Sequence, residues 1–170
     1  MISMATNSKV LLTLDDSAAS WKAAEYIGDL VRTMPELSIC LVHAPDPMPP
    51  ELQEFRGAED PQREKVLEYQ LKEKQNRWEQ KARKAAVPLI DKAQFLLQQA
   101  GVAPDRIESR VLVLMHREDL VDEIIKTARE FGCDTIVTGR NAFPWMKELF
   151  VDHLGDEISR RAKGITVNVV

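Results

Sequence analysis

Short apolar runs alternate with helical segments along this chain, and this alternation restricts the possible folds more than any other feature. Each run is bounded by polar residues, which is typical of strands buried on both faces of a sheet. The five runs span residues 9–14, 37–44, 106–114, 134–139 and 165–170. Strands that alternate with helices predict a parallel sheet covered by helices on both faces, because right-handed crossovers return each strand parallel to the last. The predicted fold class is therefore α/β with an open five-stranded parallel sheet.

The segments between these runs carry signals for helices. Helices are predicted over residues 17–34, 61–100, 118–131 and, for the most part, 145–164. The first has Asp16 or Ser17 as a possible N-cap and Pro35 as its stop, and Gly132 ends the third. The sequence thus predicts five strands joined by four helices.

The second of these helices is long and unusually polar. Pro88 lies inside it and is expected to kink or split it, because proline donates no helical hydrogen bond. Its first part, residues 61–87, is too polar to be packed all round and is interpreted as a solvated face with i,i+4 charge pairs. The alternative is an arm that binds a protein client or the neighbouring subunit. The preceding residues 45–52 are expected to lack regular structure, since they are rich in proline.

Length and charge limit the classes of function. With 170 residues, 44% of them apolar, residues 1–170 fit a single domain. The net charge of -4 provides no basic field, so neither nucleic acid nor an anionic membrane is an expected partner. There is no apolar stretch long enough for a membrane span and no apolar signal-peptide core, which predicts a soluble cytoplasmic protein. Cys40 and Cys133 are expected to be buried free thiols.

The carboxyl ends of the strands are the expected location of any binding site. In open parallel sheets, ligands bind beyond these ends, at the point where the strand order reverses. Four segments should meet there: Asp15–Asp16, His43–Ala44, Met115–His116–Arg117 and Gly139–Arg140–Asn141. The three histidines, His43, His116 and His153, have no metal-ligand spacing, and His116 is interpreted as a surface residue.

Four stretches in this order resemble the universal stress protein family over nearly the whole chain. They are "KVLLTLDDSAASWKAAEYI", "LVHA" followed by a proline-rich loop, "CDTIVTGR" and "ISRRAKGITVNVV". The resemblance implies a Rossmann-like domain that commonly forms homodimers through its last strand, here residues 165–170. That strand is apolar and would lie at a sheet edge, where it can pair with another strand. Members of the family fall broadly into those that bind ATP and those that do not.

The nucleotide motif of the ATP-binding members is incomplete in this chain. Those members have a glycine after the fourth strand, a second glycine three residues later, and a third glycine ten residues beyond it, followed by Ser or Thr. Gly139 matches the first position, but Ala142 replaces the second glycine. Gly155, the only candidate for the third, follows Ala142 by thirteen residues, and Asp156 replaces the hydroxyl residue. A carboxylate at that place would repel phosphates, so the resemblance implies a degenerate site.

Other residues still match nucleotide binders. The resemblance places Asp15 where an Asp holds the ligand and Val42 on the adenine pocket, and Arg140 could pair with a phosphate. The full set of candidate cofactor-binding residues is Asp15, Asp16, Val42, Met115, Gly139, Arg140, Gly155 and Asp156. Three of them have an ordinary structural alternative: Asp15 and Asp16 suit a turn and a helix N-cap, and Val42 suits a strand core.

No recognisable catalytic motif occurs in the chain, so it is not expected to be an enzyme. Slow phosphoanhydride hydrolysis with Mg²⁺ held by Asp15, Asp16 and Asp156 is an alternative without further support. The prediction is a stress-response protein that binds rather than catalyses and has no cofactor. The alternative is a sensor of ATP or AMP, with Mg²⁺. The first hypothesis predicts that Phe143 or Trp145 fills the cavity, and the second that the amides of Gly139 and Arg140 are free.

Overall fold

The fold is a five-stranded parallel sheet, as the sequence predicts. A computed structural model describes residues 8–140, 142–146 and 154–170. The strands are β1 (Lys9–Thr13), β2 (Ser38–His43), β3 (Ile107–Val111), β4 (Thr135–Thr138) and β5 (Thr166–Val169). Their order across the sheet is β3-β2-β1-β4-β5, and every neighbouring pair is parallel. The order reverses between β1 and β4, and β3 and β5 form the two edges.

Helices cover both faces of the sheet. They are α1 (Ala18–Thr33), α2 (Pro50–Gln53), α3 (Pro61–Gln99), α4 (Leu120–Phe131) and α5 (Leu154–Arg161). Successive residues of β1 point to opposite faces, as the pleat requires: Leu12 packs in a cluster with α1 and α3, and Leu11 in a cluster with α4 and α5. Each face therefore has its own apolar core.

The helix ends follow the predicted signals. Ser17, one of the two predicted N-caps, accepts the Ser20 amide of α1 through its hydroxyl at 3.1 Å. Gly132 follows α4 with a φ of 69°, a left-handed conformation that glycine adopts without a steric penalty.

The long helix α3 runs without a break through Pro88, so the predicted alternative of a split is wrong. Proline at this position leaves the Lys84 carbonyl without its i+4 donor, and water can satisfy that carbonyl because Lys84 and Pro88 are both exposed. The buried residues of α3 are Ala86, Ile90, Ala93 and Leu97. Residues 61–85 of the helix include no buried residue, which agrees with the polar sequence there.

Two local predictions need correction. Residues 45–52 are not wholly irregular, because Pro50 begins the short helix α2 and proline is tolerated in a first helical turn. Strand β3 ends at Val111 rather than at residue 114.

Within the predicted helix 145–164, the structure has a 3-10 turn over Pro144–Met146 and then α5, and residues 147–153 lie outside the described part of the chain. Among the described helices, none is long and apolar enough to cross a membrane.

Cys40 and Cys133 are buried and are not joined in a disulfide, as predicted. Both belong to the cluster on the α4 and α5 face. Burial raises the pKa of the Cys40 thiol to about 12 and that of the Cys133 thiol to about 11. The thiolate, which is the reactive form of cysteine, is therefore disfavoured in the folded protein.

These thiols are expected to make stability fall at alkaline pH. Above pH 9.0, the ordinary pKa of a cysteine thiol, the cysteines of the unfolded chain lose protons before those of the folded chain, which lowers the free energy of unfolding. Urea unfolding between pH 8 and 10.5 should therefore show that the free energy of unfolding falls more steeply with rising pH in the wild type than in a Cys40→Ala/Cys133→Ala variant. Parallel pH profiles for the two proteins would contradict this expectation.

Candidate functional site

The candidate site lies at the carboxyl edge of the sheet, where the strand order reverses between β1 and β4. Asp15 follows β1, and its side chain is buried, with 6% of the residue exposed. One carboxylate oxygen accepts the Ser17 amide at 2.7 Å, and the other accepts the Phe143 amide at 2.6 Å. The carboxylate expected to hold a ligand is thus hydrogen-bonded within the chain.

Phe143 lies beside this carboxylate and is only 1% exposed. It belongs to the same buried cluster as Val42, the residue assigned to the adenine pocket by resemblance. Its ring centroid lies 6.4 Å from that of His43 and 5.9 Å from that of Trp145. Its φ is 55°, a left-handed conformation that costs a residue other than glycine about 1–3 kcal/mol. Burial of the aromatic ring offsets this cost.

Gly139 has a structural role that differs from phosphate binding. A Cβ at this position would lie 2.7 Å from the carbonyl carbon of Ala19, in the first turn of α1. Only glycine lets the end of β4 approach the helix backbone this closely. The Gly139 carbonyl accepts the Ala142 amide at 3.1 Å, which closes a turn after the strand.

The Arg140 amide is not free. It donates to the Val170 carbonyl at 2.7 Å and so extends the pairing of β4 with β5. The Arg140 side chain is exposed. Asn141 lies outside the described residues.

Gly155 is likewise a packing position. It is buried in α5, and a Cβ there would collide with the Val169 side chain and lie 3.3 Å from a methyl group of Thr138. Asp156, the next residue, is exposed in the first turn of α5. The glycine that matches the third motif position therefore allows α5 to approach β5.

Asp16 and Met115, the remaining candidates, do not join the Asp15 carboxylate. One carboxylate oxygen of Asp16 accepts the indole N–H of Trp21 at 3.2 Å. Met115 is exposed, and its carbonyl accepts from the Gln53 side chain at 2.7 Å. His116 is exposed, as predicted, and His153 falls in the segment that the structure leaves undescribed.

The structure also brings residues of this edge together with residues of α3, a contact that the sequence did not predict. His43 Nδ1 lies 2.7 Å from the Leu14 carbonyl, so this nitrogen must carry the proton and donate. A cleft of about 480 Å³ opens nearby, lined by Asp16, His43, Ala85, Pro88, Leu89 and Lys92. The Lys92 ammonium lies 3.9 Å from the centroid of the Trp21 ring, a cation–π contact between α3 and α1. No local pattern indicates a contact between residues so distant in sequence.

Across the described residues, no group of three or more His, Cys, Asp or Glu side chains could hold a metal ion.

Comparison with known proteins agrees with this architecture. A sequence model of the universal stress protein family matches residues 6–169. No curated protein sequence is significantly similar to the chain.

Solved structures of the family share the fold. A universal stress protein family member from Burkholderia pseudomallei is 20% identical, with 96% of each chain covered and a TM-score of 0.58. The Archaeoglobus fulgidus universal stress protein in complex with dAMP is 13% identical, with 95% of this chain and 96% of that chain covered and a TM-score of 0.55. An Arabidopsis thaliana family protein with AMP bound is also 13% identical, with 96% and 90% covered and a TM-score of 0.54.

The close packing of Gly139 gives a stability prediction. Gly139→Ala should lower the free energy of unfolding by about 1–3 kcal/mol, because the added Cβ would meet backbone atoms of α1 that cannot move independently. The matched control is Gly57→Ala, where the nearest atom is a Glu64 side-chain oxygen at 3.4 Å. Urea denaturation should leave the control within about 0.5 kcal/mol of the wild type. Equal stability of Gly139→Ala and the wild type would contradict the packing role.

Proposed function

Because the chain belongs to the universal stress protein family, we propose that it acts in the cytoplasmic stress response by binding a protein partner, without catalysis and without ATP. The observation that carries this proposal is the buried ring of Phe143 beside the Asp15 carboxylate. A nucleotide would need the space and the hydrogen-bond acceptors that the chain itself uses at this edge.

The hydrogen bonds of Asp15 support the proposal. Both carboxylate oxygens accept backbone amides, from Ser17 and from Phe143. A ribose hydroxyl that took the place of the Phe143 amide would leave a buried N–H without a partner, at a cost of about 1–3 kcal/mol. Ligand binding must offset this cost as well as the displacement of the Phe143 ring.

The phosphate end of the site is also unfavourable. The Arg140 amide already donates to Val170, and the Gly139 backbone packs against α1. Asp156 adds a negative charge to the first turn of α5, where its carboxylate would repel a polyphosphate. Neither glycine of the motif therefore provides an open backbone cradle.

A nucleotide sensor is the second candidate, and related structures favour it. The Archaeoglobus fulgidus protein is described in complex with dAMP, and the Arabidopsis thaliana protein with AMP. In this chain the exposed Arg140 side chain could pair with one phosphate. ATP or AMP, with Mg²⁺, would then bind only after Phe143 left its buried position.

Calorimetric titration distinguishes the two candidates. Wild-type protein, stripped of copurified ligand, is expected to give no binding heat with Mg-ATP or with AMP. The Phe143 ring fills the site, and the Asp15 carboxylate is hydrogen-bonded within the chain. Binding tighter than about 100 μM, equivalent to about 5.5 kcal/mol, would overturn the proposal in favour of a nucleotide sensor.

Two variants identify which feature of the site prevents nucleotide binding. Phe143→Gly removes the ring and suits the left-handed backbone, and it should be about 2–4 kcal/mol less stable than the wild type. Asp156→Ser restores a hydroxyl at the family position. AMP binding gained by the first variant would identify the ring as the obstacle, and ATP binding gained by the second would identify the carboxylate.

We also propose that the protein forms a homodimer through β5, as the family resemblance implies. The Thr166 amide donates to the Asp134 carbonyl just before β4, and the Val170 amide donates to the Thr138 carbonyl. The alternation of a strand therefore directs the backbone groups of Val167 and Val169 away from β4. Val169 is 39% exposed. Antiparallel pairing of two β5 strands would satisfy these outward groups in both subunits.

Val167→Pro tests this dimer. Proline removes the outward amide of residue 167 while the inward bonds of Thr166 and Val170 remain, so the variant is expected to be a folded monomer. Val167→Ala keeps the amide and serves as the matched control, which should remain dimeric. Molar masses from light scattering after size exclusion measure the outcome. A dimeric Val167→Pro protein would contradict pairing through β5.

A further inference from the structure

The edge of the sheet opposite β5 is formed by β3, and it is open. Glu108, Ser109 and Arg110 are successive residues of this strand, and all three are exposed. Successive side chains point to opposite faces of a sheet, so side chains on both faces are exposed along this stretch. The interior strand β1, in contrast, is buried at four consecutive positions, Val10 to Thr13.

The backbone of β3 presents hydrogen-bonding groups to solvent. The Leu112 amide donates to the His43 carbonyl of β2 at 2.8 Å, which fixes the even-numbered residues of β3 as those paired inward. The backbone groups of Ser109 and Val111 and the Ile107 carbonyl therefore face outward, while the Ile107 amide donates to the Pro104 carbonyl. The Val111 carbonyl accepts from the Arg83 guanidinium at 3.3 Å. Among the described residues, none hydrogen-bonds to the backbone of Ser109.

A groove runs beside this strand on the face covered by α3. It has a volume of about 420 Å³, and the residues of α3 that line it include Val87, Ile90, Asp91 and Gln94. Val87 is 49% exposed. An aliphatic side chain from an added strand would cover Val87.

The two cations beside this edge, Arg83 and Arg110, are already paired. Arg83 forms an ion pair with Glu79 at 2.9 Å, and Arg110 pairs with Glu130 at 2.6 Å while lying over the Phe131 ring. Neither cation needs an acidic partner from outside. Recognition at this edge would therefore depend on backbone hydrogen bonds and apolar contact, and the carboxylates of Glu108 and Asp91 disfavour a segment with acidic residues.

We propose that the β3 edge binds an extended segment of a partner protein as a sixth strand, with alternate aliphatic side chains lying in the groove beside α3. Backbone pairing supplies affinity in this mode of recognition, and the groove supplies selectivity. This inference rests on the proposed function, binding rather than catalysis. It also narrows the client surface predicted on residues 61–87 to the end of that segment, at Arg83 and Val87.

A designed peptide tests the proposal on the full-length protein. The probe is a capped, fluorescently labelled peptide of alternating valine and threonine, with one lysine and one glutamate at its ends for solubility. Fluorescence anisotropy should show saturable binding to the wild type. Two further peptides carry N-methyl groups on every valine or on every threonine.

The N-methylated peptides report on backbone pairing. Alternate amides of a strand point to the same edge, so one methylated peptide should bind about tenfold or more weakly and the other should bind as the parent does. Which peptide fails gives the orientation of the added strand. Equal binding of all three peptides, or no saturation by the parent peptide up to about 1 mM, would overturn the proposal.

Protein variants locate the site. Ser109→Pro removes an outward amide and should weaken binding of the parent peptide about tenfold or more. Ser109→Ala keeps the amide and should bind as the wild type does, and Val167→Pro, altered at the other edge, should also bind normally. Circular dichroism checks that each variant is folded. Loss of binding in Val167→Pro but not in Ser109→Pro would place the peptide at β5 and refute the assignment.

A second copy of this chain is the competing occupant. Analytical ultracentrifugation distinguishes it, because pairing through β3 would produce species larger than a dimer that Ser109→Pro removes. Such species, together with failure of the peptide to bind, would overturn the proposal of a foreign segment. Nucleotide titration is independent of these measurements: AMP binding by the wild type would contradict the proposed function and leave peptide binding at β3 as a separate result.

Discussion

The carboxylate of Asp15 connects the parts of this molecule that meet at the carboxyl edge of the sheet. Asp15 follows β1, and its carboxylate accepts the amide of Ser17, the N-cap of α1, and the amide of Phe143 from the loop after β4. A buried carboxylate is stable only when its oxygens are hydrogen-bonded, and these two amides satisfy it without any ligand. The arrangement fixes the backbone of Phe143, whose ring then completes the apolar cluster around Val42.

Much of the fold could be predicted from sequence because its signals are local. The apolar runs, the Ser17 cap and the Gly132 stop each act within a few residues, so they predict strands and helix ends without knowledge of tertiary contacts. The continuous course of α3 through Pro88 was harder to predict. Tertiary packing of Ala86 and Ile90, on either side of the proline, can stabilise the helix where propensity opposes it.

The candidate site could be predicted only in position. The ends of β1 and β4 had to meet, so Asp15 and Gly139 were identified correctly as neighbours of the strand-order reversal. Their partners could not be predicted, since Phe143 and Asp15 are 128 residues apart in sequence. The glycines show the same limit. Gly139 and Gly155 match a phosphate-binding pattern, yet a Cβ at either would strike a packed neighbour. Glycine in a sequence indicates close approach, but it does not identify what approaches.

The two edges of the sheet differ in a way that bears on how a binding protein of this fold can work. The outward backbone groups of β5 are those of Val167 and Val169. Pairing with a second β5 strand can cover these groups in both subunits through one symmetric contact. At β3 the Val111 carbonyl is partly covered by Arg83, and the neighbouring Ser109 backbone is open. A charged side chain over part of an edge discourages uncontrolled pairing between sheets. An edge at which Arg83 covers the Val111 carbonyl but the Ser109 backbone is free to pair therefore suits reversible binding of a single strand better than permanent assembly.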